Sequence, residues 1–219
     1  YPNVESIRVL DDLFLKNHTT IKKAITVFSS FNLKWRSMAH VMTFKGVPVE
    51  DLKLLKSTGC SELFIGIESG SPAVLRRIHK THDINVIKRT LVAIFEAGIS
   101  IKGYFIYGFP NETKDDFEKT LELASYLKNQ SEKFNVKFRT SVFQFRPYHG
   151  TELYHQIFSK NDDLRQPIFI EANSDLSNLV GRLQFNFHSG NYSAEAVEIV
   201  HEYIYKTANL TNTEQWGLN

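Results

Sequence analysis

Carboxylates and glycine-rich turns follow several apolar stretches of this 219-residue chain. Asp11 and Asp12 come directly after residues 6–10, and Glu68 comes directly after residues 63–67. A carboxylate at the end of an apolar strand must stay solvated or hold a specific donor, because an unpaired charge is costly to bury. Glycine, proline and polar residues follow two further apolar stretches, at residues 108–112 and 146–151. Each segment alone has the composition of an ordinary turn. Together they indicate a binding site, provided that the fold brings them to one place.

The hydrophobic pattern alternates between segments typical of strands and segments typical of helices. Strands are predicted at residues 6–10, 33–44, 63–67, 99–107 and 138–145. Amphipathic helices are predicted between them, and residues past 150 lose the pattern until a last helix at residues 193–207. This alternation predicts βα units and a parallel sheet. Ligands of such folds collect at the carboxyl ends of the strands, which is where the polar segments described above begin.

Composition and charge exclude several classes of protein. Apolar residues make up 42% and charged residues 23% of the chain, which is typical of a folded globular domain. The formal net charge of +2 gives no sign of nucleic acid or of an acidic membrane as a partner. No apolar run approaches the roughly 20 residues of a membrane-spanning helix.

The chain has a single cysteine, Cys60. One thiol excludes an internal disulfide, a four-cysteine zinc site and an iron–sulfur cluster held by cysteines of this chain. We expect Cys60 to be a small buried residue in a reducing compartment, the cytoplasm. His79 and His82 lie three residues apart but lack a third ligand, so no metal site is predicted. His40 and His149 are candidates for contact with a substrate at the strand ends.

Four motifs occur in the order in which they occur in radical S-adenosylmethionine (radical SAM) enzymes. LDDLF at residues 10–14 resembles the end of that family's second strand, and LFIGIESGS at residues 63–71 resembles its fourth-strand segment. GYFIYGFPNET at residues 103–113 resembles the fifth strand with its following turn. PYHGTELY at residues 147–154 is similar to the segment after the sixth strand. The pairing of the first two motifs resembles the branch that often carries an N-terminal cobalamin-binding domain. That branch includes the anaerobic magnesium-protoporphyrin monomethyl ester oxidative cyclase and many methyltransferases.

The resemblance implies an α/β fold, a partial (βα)6 TIM-like barrel of parallel strands that lacks the first βα unit. Residues 1–158 would form strands two to six, and residues 159–219 would form a C-terminal loop and helix extension. The implied cofactors are S-adenosylmethionine (SAM) and a [4Fe–4S] cluster, with cobalamin as a further cofactor in a missing N-terminal domain. The family's Cys-x3-Cys-x2-Cys loop is absent, so we interpret the chain as a fragment and expect the cluster ligands upstream of Tyr1.

The resemblance also implies roles for individual residues. Asp11 or Asp12 would accept a hydrogen bond from the methionyl amino group of SAM. Glu68 and Ser69 would face the ribose hydroxyls or the methionyl end. The adenine would lie along two further residues, Ile106 and Gly108. These six residues form the predicted cofactor-binding set. Glu112 is expected only to hold its own turn, and His40 stands where relatives commonly have an arginine.

The implied reaction is the reductive cleavage of SAM to a 5′-deoxyadenosyl radical, which abstracts hydrogen from a small-molecule substrate. A reductant protein such as flavodoxin or ferredoxin would supply the electron. The complete protein would be an oxidative cyclase or a methyltransferase, and the fragment alone is expected to be inactive. Two alternatives stay open. One is a stand-alone radical SAM enzyme that acts on peptide, RNA or sugar; the other is a barrel remnant that acts as a non-catalytic binding module.

Overall fold

The structure is a computed structural model that describes residues 3–148, 150–158 and 191–211. Its centre is a sheet of five parallel strands in the spatial order of the chain, which curves into a half-barrel. The strands are β1 (Ser6–Arg8), β2 (Lys34–Ala39), β3 (Cys60–Glu68), β4 (Ser100–Tyr107) and β5 (Phe138–Gln144). The predicted α/β fold with a partial parallel barrel is confirmed.

Seven helices lie in the described ranges, and the five longer ones pack on the outer face of the sheet. The seven are α1 (His18–Phe28), α2 (Val49–Ser57), α3 (Pro72–Arg77), α4 (Ile84–Glu96), α5 (Lys114–Lys133), α6 (Glu152–Phe158) and α7 (Val197–Asn209). A capping box starts α5, since the Thr113 and Asp116 side chains each accept from the other's backbone N–H. Ser71 caps α3, with Pro72 at the first helical position.

The predicted strand at residues 33–44 is wrong in its second half. Strand β2 ends at Ala39, and residues Val41–Phe44 form a single 3₁₀ turn. The His40 side chain caps this turn, because its Nδ1 accepts a hydrogen bond from the Met42 N–H at 3.1 Å. Val41 and Phe44 are both buried, which a three-residue repeat allows and the two-residue repeat of a strand does not.

The main hydrophobic core lies between the convex face of the sheet and the helices. Alternate residues of β3, Leu63, Ile65 and Ile67, point into this core together with Ile101 and Phe105 of β4. The intervening residues of each strand point to the concave face. Cys60 is fully buried, as expected, and burial raises the pKa of its thiol well above the usual range.

The last helix packs back onto the sheet. Helix α7 lies against α5 and β5, and Thr207 forms a 2.6 Å hydrogen bond with the Tyr107 hydroxyl. It begins at Val197, four residues later than predicted. The boundary at residue 158 between the partial barrel and the C-terminal extension stays a prediction. Residues 159–190 and 212–219 lie outside the described ranges. None of the helices in the described parts of the chain is long and apolar enough to cross a membrane.

Candidate functional site

The carboxyl ends of the parallel strands form one rim of the half-barrel. Neighbouring strands in a sheet lie about 4.8 Å apart, so about 14 Å separates β1 from β4 along this rim. Asp11 and Asp12 follow β1, Glu68 ends β3, and Ile106 and Gly108 lie at the end of β4. The structure therefore brings five of the six predicted cofactor-binding residues to one edge of the sheet.

Glu68 has an unusual backbone conformation. Its φ is +66°, and the pairing of β3 with β4 shifts register between Gly66 and Glu68. A left-handed conformation costs a non-glycine residue on the order of 1 kcal/mol or more, so it persists only where the surroundings enforce it. The Glu68 carboxylate accepts a hydrogen bond from Lys80 Nζ at 2.7 Å, and both side chains are largely buried. The fold thus holds one acidic side chain under strain at the end of a central strand.

Lys80 and His40 complete the polar surroundings of Glu68. Lys80 Nζ also donates to the Gly66 carbonyl at 3.4 Å, and a Cβ at Gly66 would collide with Oε1 of Glu68. The pKa of His40 is lowered by burial and, to a smaller extent, by the positive charge of Lys80. His40 is therefore neutral near pH 7. The end of the β2–β3 pair offers one carboxylate, one ammonium and one neutral imidazole.

The turn after β4 is built around a buried carboxyl group. Glu112 is 0% exposed, and its Oε2 accepts from Gly108 N at 2.7 Å and from Phe109 N at 2.9 Å. Burial raises the pKa of Glu112 to about 8. Gly108 has a φ of +94°, a conformation that favours glycine. The expectation that Glu112 holds its own turn is confirmed.

Ile106 provides an apolar surface beside this turn. It is half-buried and packs against the cluster that contains Phe109 and Phe145. The strand alternation places it on the concave face, two residues before Gly108. Gly108 itself is buried, and a Cβ there would lie 3.6 Å from Val200 of α7. The exposed part of Ile106 therefore provides the apolar contact for a flat ring at this turn.

Asp11 and Asp12 lie at the opposite end of the rim, and both are exposed. Asp11 Oδ1 accepts from the Leu13 N–H at 2.9 Å, which leaves Oδ2 available. Within the described part of the chain, Asp12 has neither a hydrogen bond nor an ion pair. These carboxylates are free to accept hydrogen bonds from a cationic ligand.

Ser69 does not join the other predicted residues. It is 0% exposed, and its hydroxyl lies 3.0 Å from Thr120 Oγ1 in α5 and accepts from Ser71 N at 3.1 Å. The turn approaches α5 so closely that a Cβ at Gly70 would collide with the Lys119 carbonyl. Ser69 therefore stabilises the junction of β3 with α5, and the structure places its hydroxyl away from Glu68.

The sequence singles out four histidines as candidate or rejected ligands. Among those in the described residues, His40 is the one that lies near Glu68. His79 pairs with Glu152 at 3.4 Å on the surface, and His149 lies outside the described residues. No group of three or more His, Cys, Asp or Glu side chains in the described ranges is arranged to hold a metal ion.

Sequence reasoning missed the role of Lys80 as the partner of Glu68. Lys80 lies 12 residues after Glu68, beyond a helix, so sequence spacing gives no signal for the contact. It also missed a group of basic residues on the concave face, Arg8, Arg36, Lys102 and Arg139. Their alternation with apolar residues along the strands was the signal that could have found them.

Comparison with known proteins agrees with the resemblance. Residues 18–124 match the model of the Radical SAM superfamily. An uncharacterized methyltransferase, PH0819 of Pyrococcus horikoshii, is 29% identical over 167 residues, which is 72% of this chain and 32% of that protein. The threonylcarbamoyladenosine tRNA methylthiotransferase MtaB of Thermotoga maritima is 35% identical over 95 residues, 42% of this chain and 20% of that protein.

The fold has a counterpart among solved structures. The apo structure of OxsB, described as a cobalamin-dependent S-adenosylmethionine radical enzyme, superposes with a TM-score of 0.62 at 13% identity. The match covers 87% of this chain and 32% of OxsB. In these comparisons the chain spans a third or less of the other protein's length. The sequence match and the parallel half-barrel together show that this chain contains a Radical SAM domain.

Proposed function

We propose that this chain is the larger part of the catalytic domain of a radical SAM enzyme and that its strand rim binds SAM. The observation that carries the proposal is the strained Glu68 carboxylate at the end of β3, on the same rim as Asp11, Asp12, Ile106 and Gly108. Backbone strain of this kind is concentrated at functional sites.

The chemical character of the rim matches the two ends of SAM. Free carboxylates at Asp11 and Asp12 suit the methionyl ammonium group, since a charge-assisted hydrogen bond to an ammonium is among the stronger polar contacts. The Glu68 carboxylate suits the ribose hydroxyls or the methionyl end. At the other end, the partly exposed apolar side chain of Ile106, beside the turn at Gly108, suits adenine. Ser69 is left out of the proposed contacts, because its hydroxyl is already paired with Thr120.

The cluster ligands would lie outside these residues. A [4Fe–4S] cluster of this family needs three thiolates, whereas the chain contains only Cys60, which is fully buried. We place the Cys-x3-Cys-x2-Cys loop outside the 219 residues. Bound together, cluster and SAM would supply a 5′-deoxyadenosyl radical: one electron from an external reductant, such as flavodoxin or ferredoxin, would break the S–C5′ bond and leave methionine. The residues of this chain bind and orient the cofactor and shield the site from water.

Methyl transfer with cobalamin as a second cofactor is the reaction that we favour for the complete protein. The support is the similarity of 72% of this chain to PH0819, an uncharacterized methyltransferase, and the likeness of the fold to OxsB. Oxidative cyclisation in the same branch is the nearest variant. An RNA substrate is the second candidate, favoured by the match to a tRNA methylthiotransferase. A reducing compartment such as the cytoplasm suits both the cluster and the thiol of Cys60.

The coding sequence upstream of Tyr1 provides the first test. A Cys-x3-Cys-x2-Cys motif should occur within about one βα unit, roughly 30 residues. The complete protein, reconstituted anaerobically with iron and sulfide, should then release 5′-deoxyadenosine from SAM under a chemical reductant. We expect Glu68→Gln to lower this release by about tenfold or more, because a charge-assisted contact is replaced by a neutral one.

Glu96→Gln is the matched control, since Glu96 is exposed at the C-terminal end of α4, away from the rim. It should leave 5′-deoxyadenosine release unchanged. Equal release in the two variants would remove Glu68 from the site. A natural start codon just before Tyr1, with no upstream cysteines, would contradict the radical mechanism and favour a binding module.

A further inference from the structure

The concave face of the half-barrel carries a second polar site, toward the amino ends of β2 to β5 and level with Arg8 of β1. We call it the basal cluster, and it consists of Arg8, Arg36, Glu62, Lys102 and Arg139. Arg139 forms two hydrogen bonds with Glu62, from Nε at 2.8 Å and from Nη2 at 2.6 Å. Arg36 Nη1 lies 4.0 Å from the same carboxylate. Glu62 is 8% exposed, so this carboxylate is already surrounded by its partners.

Three of the positively charged groups of the basal cluster lie over aromatic rings. Arg8 lies 5.0 Å and Arg36 5.9 Å from the centre of the Phe64 ring, and Lys102 Nζ lies 5.5 Å from that of Tyr104. Within the described parts of the chain, neither Arg8 nor Lys102 forms an ion pair with a carboxylate. Four cations and one carboxylate leave the basal cluster with a formal charge of +3.

This excess of positive charge is unfavourable in the protein alone. The pKa of Lys102 is lowered by burial first and then by the guanidinium group of Arg139; Glu62 opposes this shift, and Arg8 and Arg36 add to it. Like charges repel more strongly beside apolar walls than in bulk water, because the effective dielectric constant is lower there. A bound anion would relieve the repulsion. Guanidinium groups suit carboxylate and phosphate in particular, since their N–H groups match paired oxygens.

We propose that the basal cluster binds an anionic group of the substrate, a carboxylate or a phosphate. This inference rests on the proposed function, because only the radical reaction assigns the rim to the cofactor and leaves the basal cluster for a substrate. Lys102 and Ile106 lie four positions apart along β4, which is about 13 Å of strand. A molecule anchored by its anionic end at the basal cluster would present its other end near the cofactor rim. The substrate class is therefore an elongated organic acid or phosphate ester.

Binding of simple anions to the full chain tests the proposal. Isothermal titration calorimetry would use sodium phosphate for one source of the anion and sodium succinate for the other, each against sodium chloride at equal ionic strength. We expect one of the two anions to bind where chloride does not. Lys102→Gln and Arg8→Gln should each weaken that binding by about tenfold or more, since each removes a cation without leaving a buried partner unpaired. Lys23→Gln, on the exposed face of α1, should leave the affinity unchanged.

Two further measurements separate a ligand site from a structural one. Without an anion, Lys102→Gln should unfold at a temperature equal to or above that of the wild-type chain, because it removes a repelling charge. A purely structural lysine would give a lower unfolding temperature. The proposal is overturned if neither anion binds better than chloride, or if Lys102→Gln and Lys23→Gln bind it equally well. Either result would mean that acidic side chains of the protein, and not a bound ligand, neutralise the cations of the basal cluster.

SAM affinity, measured in the same samples, keeps the two proposals distinguishable. Glu68→Gln should weaken SAM binding and leave the anion affinity unchanged, while Lys102→Gln should do the reverse. Anion binding without SAM binding in the complete protein would contradict the proposed function alone. SAM binding with no anion binding would contradict the basal cluster alone.

Discussion

Two turns of the rim carry carboxyl groups, and these groups differ in burial and in hydrogen bonding. After β4, Glu112 is 0% exposed and accepts hydrogen bonds from two backbone N–H groups. After β1, Asp11 and Asp12 are exposed, and the contact that the structure gives them is the short-range bond from the Leu13 N–H. Strand β4 has eight residues and pairs on both sides, whereas β1 has three and pairs with β2.

The difference shows which part of the site is fixed by the fold and which part is fixed only when a ligand binds. The β4 turn is preorganised, because burial and backbone hydrogen bonds fix it before a ligand arrives. The β1 turn has no such enforcement, so its side chains gain their partners from whatever binds at the rim. Changes at the β4 turn should therefore alter stability, and changes at the β1 turn should alter only binding.

Glu112→Ala should have the largest effect on the fold. The substitution leaves the N–H groups of Gly108 and Phe109 buried without an acceptor and opens a cavity beside them. We expect the free energy of unfolding to fall by about 2–4 kcal/mol, as measured by urea denaturation at pH 7. Asp12→Ala is the control, and it should change the free energy of unfolding by less than about 0.5 kcal/mol. Equal losses in the two variants would contradict the contrast between the turns.

Local signals in the sequence were sufficient for most of the fold. The capping box of Thr113 with Asp116, the N-cap Ser71 and the alternation of apolar residues all lie within a few positions of the structure that they determine. The role of Glu112 in its own turn is local in the same way, since its partners lie three and four residues earlier. Short-range hydrogen bonds and hydrophobic periodicity can be recognised in a single chain.

The arrangement of the site depends on contacts that the sequence does not display. Glu68 and Ser69 are adjacent in the chain, yet the left-handed backbone at Glu68 sends their side chains to different partners, Lys80 and Thr120. The bond between Arg139 and Glu62 joins residues 77 positions apart. Such contacts depend on the register of the sheet and the packing of the helices. Both are determined by the whole chain, so no short stretch of the sequence predicts them.

Glu68→Gly would separate strain from function at the centre of the rim. Glycine adopts the φ of +66° without steric cost, which offsets the loss of the ion pair with Lys80. We expect the free energy of unfolding to stay within about 1 kcal/mol of the wild-type value. SAM affinity of the complete protein, measured by calorimetry, should fall by about tenfold or more.

Asn135→Gly is the matched control for backbone relief. Asn135 also has a positive φ, of +54°, but it follows α5 at the end of the sheet opposite the rim. It should gain up to about 1 kcal/mol of stability and keep the wild-type SAM affinity. Wild-type SAM affinity in Glu68→Gly would show that the strain at Glu68 serves only the packing of β3 against β4.

The neutral variants Asp11→Asn and Asp12→Asn should have the smallest effects. They test whether the exposed carboxylates of the β1 turn contact the ligand. Neither should change the free energy of unfolding by more than about 0.5 kcal/mol, because both side chains are exposed. One of them should lower SAM affinity about three- to tenfold, the range expected for one solvent-accessible charge-assisted contact. Calorimetry should be run on the 219-residue chain and on the complete protein. An effect in the complete protein alone would mean that residues outside these 219 position the edge carboxylate. Equal effects in both would mean that the ligand alone positions it, and no effect in either would confine the site to β3 and β4.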